Sequence, residues 1–312
     1  MRHFVVTGGA GFVGSHLCEA LLARGDSVTC IDDFSSGSRG NVTPLLGSGS
    51  FQLLEGDVAD LCPRVDEPVE VVAHLASPAS PADYLANPLK CLATGSRGTE
   101  AALELANRYR ARFVLASTSE IYGEPLVHPQ HEGYWGNVNP IGPRSVYDES
   151  KRFSEALTSA YRRALGTDVG IVRIFNTYGP RLRPGDGRVV SNFVVQALFG
   201  DPLTIYGDGT QTRSLCYVDD LVAGLVAMLG SDVFGPVNLG NPQELTIADL
   251  AKMVLRLTGS PSPLEYRPLP QDDPTRRRPD ITRAKKLLDW EPKVPVEDGI
   301  ARTIAWFSDA AR

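Results

Sequence analysis

A short apolar run that ends in glycines and leads directly into an amphipathic stretch constrains this chain more than any other feature. Residues 4–14 read Phe-Val-Val-Thr-Gly-Gly-Ala-Gly-Phe-Val-Gly. They satisfy Gly-x-Gly-x-x-Gly through Gly9, Gly11 and Gly14, and Gly-x-x-Gly-x-x-Gly through Gly8, Gly11 and Gly14. Such glycines permit a tight turn, close approach of backbone to a pyrophosphate, and tight packing of helix on strand. The exposed N–H groups where the helix begins, around Phe12 and Val13, then attract phosphate charge. Glycines alone would equally suit an ordinary strand-to-helix turn. Here they follow a strand pattern and open a helix pattern, and an acid, Asp32, ends the next strand 24 residues after Gly8. A carboxylate at that point accepts hydrogen bonds from both ribose hydroxyls and repels a 2′-phosphate. Ile31-Asp32-Asp33 offers no arginine, and Arg39 lies seven residues on, so NAD is favoured over NADP.

The pattern that begins there continues. Strand-like runs at residues 3–7, 27–31, 51–54, 69–74, 112–116 and 169–174 alternate with helical periodicity at 13–24, 98–110 and 147–165. In the last of these, Phe153, Ala156, Leu157, Ala160 and Leu165 share one face. Strands alternating with helices predict right-handed βαβ units in a parallel sheet covered on both faces. Beyond residue 175 the regularity fails, and Pro- and Gly-rich segments at 178–187, 206–209 and 259–274 read as functional loops. A helix over 218–229 followed by Val237-Asn238-Leu239 predicts a return to the sheet, and two helices at 281–288 and 296–307 close the chain. The expected fold is α/β, a Rossmann-like doubly wound parallel sheet with a smaller C-terminal α/β substrate-binding lobe. Its expected division is a dinucleotide-binding domain over 1–175 with a return segment near 215–240, and a lobe from 176–214 and 241–312.

Composition excludes several classes. Thirty-one basic against 37 acidic side chains, a net charge of −6, argue against a nucleic-acid-binding protein. Cys18, Cys30, Cys62, Cys91 and Cys216 are odd in number and show no C-x-x-C spacing, so neither a disulfide scaffold nor a zinc site is expected. No metal site is predicted. No apolar run reaches 18 residues, and a strand pattern begins at Phe4, leaving no room for a leader peptide. A cytoplasmic protein is expected.

Further candidates lie at the carboxyl ends of the predicted strands, where open α/β sheets bind ligands. Asp57 and Val58 follow the third strand, where Asp57 either meets the adenine amino group or is a solvated loop acid. Leu75 and Ala76 follow the fourth, with His74 read as a packed histidine. Ser117-Thr118-Ser119-Glu120 follows the fifth. Tyr147 and Lys151 are spaced i, i+4, which puts both on one face of a helix. An ammonium near a phenol stabilises the phenolate, giving a base for a sugar hydroxyl as hydride leaves the carbon. Unpatterned spacing would produce only about 0.2 such pairs in this composition. Thr118 is placed to hydrogen-bond both the reacting hydroxyl and the Tyr147 oxygen.

With these residues in view the chain resembles the extended short-chain dehydrogenases/reductases, and within them the UDP-glucuronic acid decarboxylase (UDP-xylose synthase) family. The resemblance runs over nearly the whole length. It is carried by residues 74–81 (HLASPASP), 117–123 (STSEIYG), 128–144 (HPQHEGYWGNVNPIGPR), 173–181 (RIFNTYGPR), 186–193 (DGRVVSNF), 206–214 (YGDGTQTRS), 237–242 (VNLGNP) and 272–281 (DDPTRRRPDI). It implies that NAD oxidises the sugar C4 hydroxyl with Tyr147 as base, that CO2 leaves the resulting β-keto acid, and that the ketone is reduced back. The same resemblance assigns Arg277 to the substrate carboxylate or sugar and Arg213 to the diphosphate. Asn176, Arg188, Tyr206 and Gln211 become substrate-lobe contacts, and Tyr84, Asn87 and Lys90 fall in a sugar-side loop. It also implies a homodimer joined through residues 98–110 and 147–165.

Three other outcomes compete. One is release of UDP-4-ketopentose, and another is a non-catalytic NAD-binding protein. The third is a nucleotide-sugar 4,6-dehydratase or epimerase, but dehydratases of this scaffold carry an aspartate where this chain has Ser119. Serine suits decarboxylation, because a second acid would repel a glucuronate. One departure stands out: the family usually has Thr-Asn where this chain has Thr94-Gly95.

Overall fold

The computed structural model describes residues 1–269 and 276–310. The motif stretch at 272–281 is thus described from Arg276 onward, and its residues 272–275, like the end of the predicted loop 259–274, lie outside the described residues. Six strands alternate with helices: β1 (His3–Thr7), β2 (Ser27–Asp32), β3 (Phe51–Glu55), β4 (Val71–His74), β5 (Arg112–Thr118) and β6 (Val169–Ile174). With Val237–Leu239 they form one seven-stranded sheet in the order Val237–Leu239, β6, β5, β4, β1, β2, β3. Every pairing in it is parallel. The chain is therefore a Rossmann-like α/β protein, with the switch in strand order falling between β1 and β4. The predicted return strand pairs with β6.

The sheet is apolar on both faces because helices cover both. In β1, Phe4 and Val6 enter one core with Leu17, Leu21 and Val28, while Val5 enters the other with Leu103, Leu105 and Phe113. That alternation is the two-residue period of a strand. The helix after β1, Phe12–Ala23, buries Gly14, Leu17, Cys18 and Leu21 at helical spacing.

Two expectations need correction. Within the predicted loop at 259–274, Leu264–Arg267 is a strand parallel to Leu203–Tyr206. Prolines at 261, 263 and 268 hid its alternating pattern. The helix Ser145–Leu165 buries the apolar face read from its sequence only in part, with Leu157 packed against a core. It buries Tyr147, Ser150, Lys151, Ser154 and Thr158, and leaves Phe153 half exposed and Leu165 exposed. Hydroxyl groups can occupy a buried helix face when each finds a partner, which periodicity alone does not reveal.

Outside the main sheet, Thr212–Ser214 pairs antiparallel with Glu244–Thr246 and parallel with Arg276–Arg277. This puts Arg213 and Arg277 side by side in register. All five cysteines are buried and free. Among the described residues no helix is long and apolar enough to cross a membrane.

Candidate active site

A cleft of about 700 Å3 runs along the carboxyl edge of the sheet, from the glycine turn to the Arg213–Arg277 pair. Every residue assigned above to cofactor, catalysis or substrate lines it except Gly9, which is buried beneath the turn, and Asn87, which stands between two short helices.

At one end the backbone itself forms the floor. Gly8 has a φ of +70°, and a Cβ there would meet the Ala76 nitrogen at 2.7 Å. A Cβ on Gly14 would lie 2.1 Å from the Gly8 carbonyl oxygen. Neither position accepts a side chain, which is the fit a pyrophosphate needs against bare backbone at a helix start. Asp32 accepts from the backbone N–H of Ala10 at 2.9 Å and of Phe34 at 2.8 Å. Burial raises its pKa, and those two hydrogen bonds oppose the rise. Each oxygen keeps a second lone pair for a ribose hydroxyl. Arg39 is engaged by Glu55 and lies over the Phe34 ring. Lys90, assigned to the sugar side, pairs instead with Asp33 at the cofactor end. Asp57 spends one oxygen on the Ala59 N–H, capping a short helix, and Val58 is buried behind it. These features fit NAD. Replacing Asp32 with alanine is expected to weaken NAD binding about 100-fold while narrowing the preference over NADP; titration by protein fluorescence reads both.

At the centre stand Thr118, Tyr147 and Lys151, all buried. The Lys151 ammonium donates to the Ala116 carbonyl at 2.9 Å and sits 6.0 Å from the centroid of the Tyr147 ring. Burial pulls Lys151 down to about 8. Burial also drives the Tyr147 phenol well above its ordinary range, against the downward pull of the Thr118 hydroxyl and the Arg188 charge. Burial, and not Lys151, is the largest influence on the phenol. The Thr118 oxygen accepts from the Glu120 N–H at 3.2 Å, which leaves its proton for the phenol oxygen. Tyr84 stacks flat on Tyr147, with centroids 5.2 Å apart and an interplanar angle of 4°. His74 is the packed, neutral histidine expected, lowered to about 3 by burial and by Lys151.

At the far end cations converge. Arg277, only 1% exposed, donates to the Ser119 carbonyl at 2.8 Å and to Glu120 at 3.3 Å. Arg144 donates to the same Glu120 oxygen at 2.6 Å. Burial would raise Glu120, but Arg277 and then Arg144 overcome it and hold the carboxyl at about 2. These guanidiniums also face the buried Asp148, whose carboxyl burial and the Glu120 charge push up to about 7, so Arg277, Arg144 and Arg213 together outnumber the two acids beside the Tyr147 phenol. Sequence reading missed this role for Arg144, although its i, i+3 spacing to Tyr147 was a usable signal. Arg213 adds further positive charge felt by Glu120. Arg188 reaches the Ala79 carbonyl at 3.1 Å and pairs with Asp186 at 3.3 Å. Gln211 donates to the Tyr206 carbonyl, and the Asn176 carbonyl accepts from Cys216. Of the arginine triple, Arg276 is exposed and Arg278 faces Glu244 at 3.7 Å. Only Arg277 turns into the cleft.

A glycine-floored dinucleotide site joined to a Thr–Tyr–Lys set on one sheet edge defines an NAD-dependent enzyme of the short-chain dehydrogenase type. The chain belongs to the NAD dependent epimerase/dehydratase family, whose pattern matches residues 4–240. It is 52% identical to UDP-glucuronic acid decarboxylase 1 of Danio rerio, over 98% of this chain and 73% of that protein. Among solved structures it superposes on UDP-glucose 4-epimerase from Thermotoga maritima, with TM-score 0.91, 30% identity and full coverage of both chains. It matches UDP-glucuronic acid 4-epimerase from Bacillus cereus, solved with UDP-glucuronic acid and NAD, with TM-score 0.89 and 30% identity over 99% of this chain and 100% of that one.

Proposed function

We propose that this chain converts UDP-glucuronate to UDP-xylose and CO2. The observation that carries the reading is the excess positive charge around Glu120, beside Tyr147, where an acid sugar has to place its carboxylate. NAD, when bound, supplies the hydride acceptor for the sugar C4–H and later the hydride donor for the C4 ketone. Tyr147, as the phenolate that the Thr118 hydroxyl and the Lys151 ammonium favour, takes the C4 hydroxyl proton and becomes the phenol. Once C4 is a ketone, the carboxylate on C5 is β to a carbonyl. The C5–carboxyl bond breaks, CO2 departs, and its electron pair enters an enolate at C4 that the Tyr147 and Thr118 hydroxyls hold. C5 then takes a proton, and Tyr147 returns one to the C4 oxygen as the ketone is reduced. The sum is UDP-glucuronate plus one proton giving UDP-xylose plus CO2, with no net redox change. Ser119, where dehydratases of this scaffold carry an aspartate, adds no carboxylate next to Glu120, and burial holds the nearby Asp148 up at about 7, in keeping with an anionic substrate.

Residues 176–214 and 241–312 supply the lobe that holds the UDP-sugar, with Asn176, Arg188, Tyr206, Gln211 and Arg213 as its contacts. Incubating the protein with UDP-glucuronate and NAD should yield UDP-xylose by NMR. Recovery of UDP-4-ketopentose with an equal amount of reduced cofactor would revise the product, and no turnover would sink the reading. We also place the protein in the cytoplasm, in keeping with five unpaired buried thiols. A homodimer is proposed through the exposed face of Ser145–Leu165 around Phe153, which is 50% exposed. Phe153→Glu should then shift the sedimenting species to a monomer.

A further inference from the structure

A line of buried side chains outside the chemistry links the floor of the cofactor site to the helix of the catalytic pair. Thr7, His74, Thr99 and Ser154 are each no more than 1% exposed. The Ala76 N–H donates to the Thr7 hydroxyl at 3.3 Å, and Thr7 lies 2.8 Å from His74 Nδ1. His74 Nε2 lies 3.1 Å from the Thr99 hydroxyl, which lies 3.1 Å from that of Ser154. Ser154 reaches the carbonyls of Gly95 at 2.7 Å and Ser150 at 2.9 Å.

With His74 neutral, one arrangement of protons satisfies every contact. The carbonyls can only accept, so Ser154 donates to them and accepts from Thr99. Thr99 then accepts from His74 Nε2–H, and Nδ1 accepts from Thr7. The imidazole has to be the neutral Nε2–H tautomer, an assignment the network itself makes. The two ends of this line matter. Ala76 is the residue against which Gly8 packs without a side chain, and Ser150 immediately precedes Lys151. Gly95 makes the far end possible: a Cβ there would meet the Ser150 Cβ at 2.7 Å, so only glycine lets this turn lie close enough for its carbonyl to be reached.

We infer that Thr99 and Ser154, through His74 and Thr7, are positioning residues that hold the Tyr147–Lys151 turn of the helix in register with the NAD floor. The inference rests on the decarboxylase reading for its kinetic arm only. Cutting the line leaves the chemical groups in place but frees the turn, and a displacement of that order lowers rate more than binding.

The test compares Ser154→Ala, Thr99→Val, the double variant and Thr99→Ser, each as the full chain with NAD. Either single variant is expected to lower kcat about tenfold, with KM for UDP-glucuronate and NAD affinity within about twofold. The double variant should lose no more than the worse single one, since both cut the same line. Thr99→Ser, which keeps the hydroxyl, should restore kcat. Parental kcat in the folded single variants, or additive losses in the double, overturns the inference. A second readout is independent of turnover. Nitrogen-15 NMR should show one of the five histidines as a neutral Nε2–H imidazole whose ring proton persists in water from about pH 5 to 8, and is lost in Thr99→Val. Absence of that signal in the parent overturns the line itself. A parent inactive on UDP-glucuronate with the signal intact sinks the decarboxylase reading and upholds the line.

Discussion

Tyr147→Phe is expected to reduce kcat about 10³-fold, within the range that a positioned acid–base group contributes, while NAD affinity stays within about twofold. The substitution removes one oxygen from a ring that is otherwise fixed. Tyr84 stacks on its face, and the packing around Cys91 and Val146 is untouched. The loss should therefore fall on the proton transfer and not on folding. With no titrating group left at that position, the residual activity of the Tyr147→Phe variant should not recover at high pH, whereas a stray hydroxide mechanism would make it rise. Measuring single-turnover formation of reduced cofactor isolates this step from product release. An active Tyr147→Phe protein would remove the phenol from the mechanism altogether.

Arg277→Gln should be nearly as severe and for a different reason. It cuts the donors to the Ser119 carbonyl and to Glu120 and removes the charge that greets the substrate carboxylate. kcat/KM for UDP-glucuronate is expected to fall by about 10²–10³, the usual consequence of truncating a buried charged partner. Arg277→Lys should rescue little, since one ammonium cannot reproduce a planar fork aimed at two acceptors. Stability should fall by about 2–4 kcal/mol, at the lower end because Arg144 still holds Glu120. The pH dependence has a definite sign. Glu120 is held at about 2, below its ordinary 4.5, so its contribution is complete above pH 4.5 and is lost as pH falls from there towards 2. In Arg277→Gln the Glu120 carboxyl moves back up towards its ordinary value, so the loss should be smaller and be complete at a higher pH. Acid melts of the two proteins, compared from neutral pH downwards, read that shift.

The local features of the nucleotide half were legible because each is written in neighbouring residues. Strand β1, the glycine turn and Asp32 are local in sequence, and backbone sterics leave few alternatives to a strand–turn–helix there. Tyr147 and Lys151 are likewise a helical pair four residues apart. The second half was harder. Leu264–Arg267 needed the strand Leu203–Tyr206, more than fifty residues away, to show that it was a strand at all. The polar buried face of Ser145–Leu165 was invisible to hydrophobic periodicity, because its stability comes from partners such as Thr99 and the Gly95 carbonyl.

What the amino-acid order determined alone is therefore the parallel α/β architecture, the bare backbone of the glycine turn, and the placing of Tyr147 and Lys151 on one helix face. Tertiary structure alone decided their electrostatics. Desolvation sets Tyr147 high and Lys151 low, and only the pairing of Arg276–Arg277 with Thr212–Arg213 brings Arg277 to Glu120. The reason is that covalent neighbours fix backbone geometry, whereas dielectric environment and charge proximity depend on residues from 24 to 157 positions apart, as Arg144 and Arg277 are from Glu120.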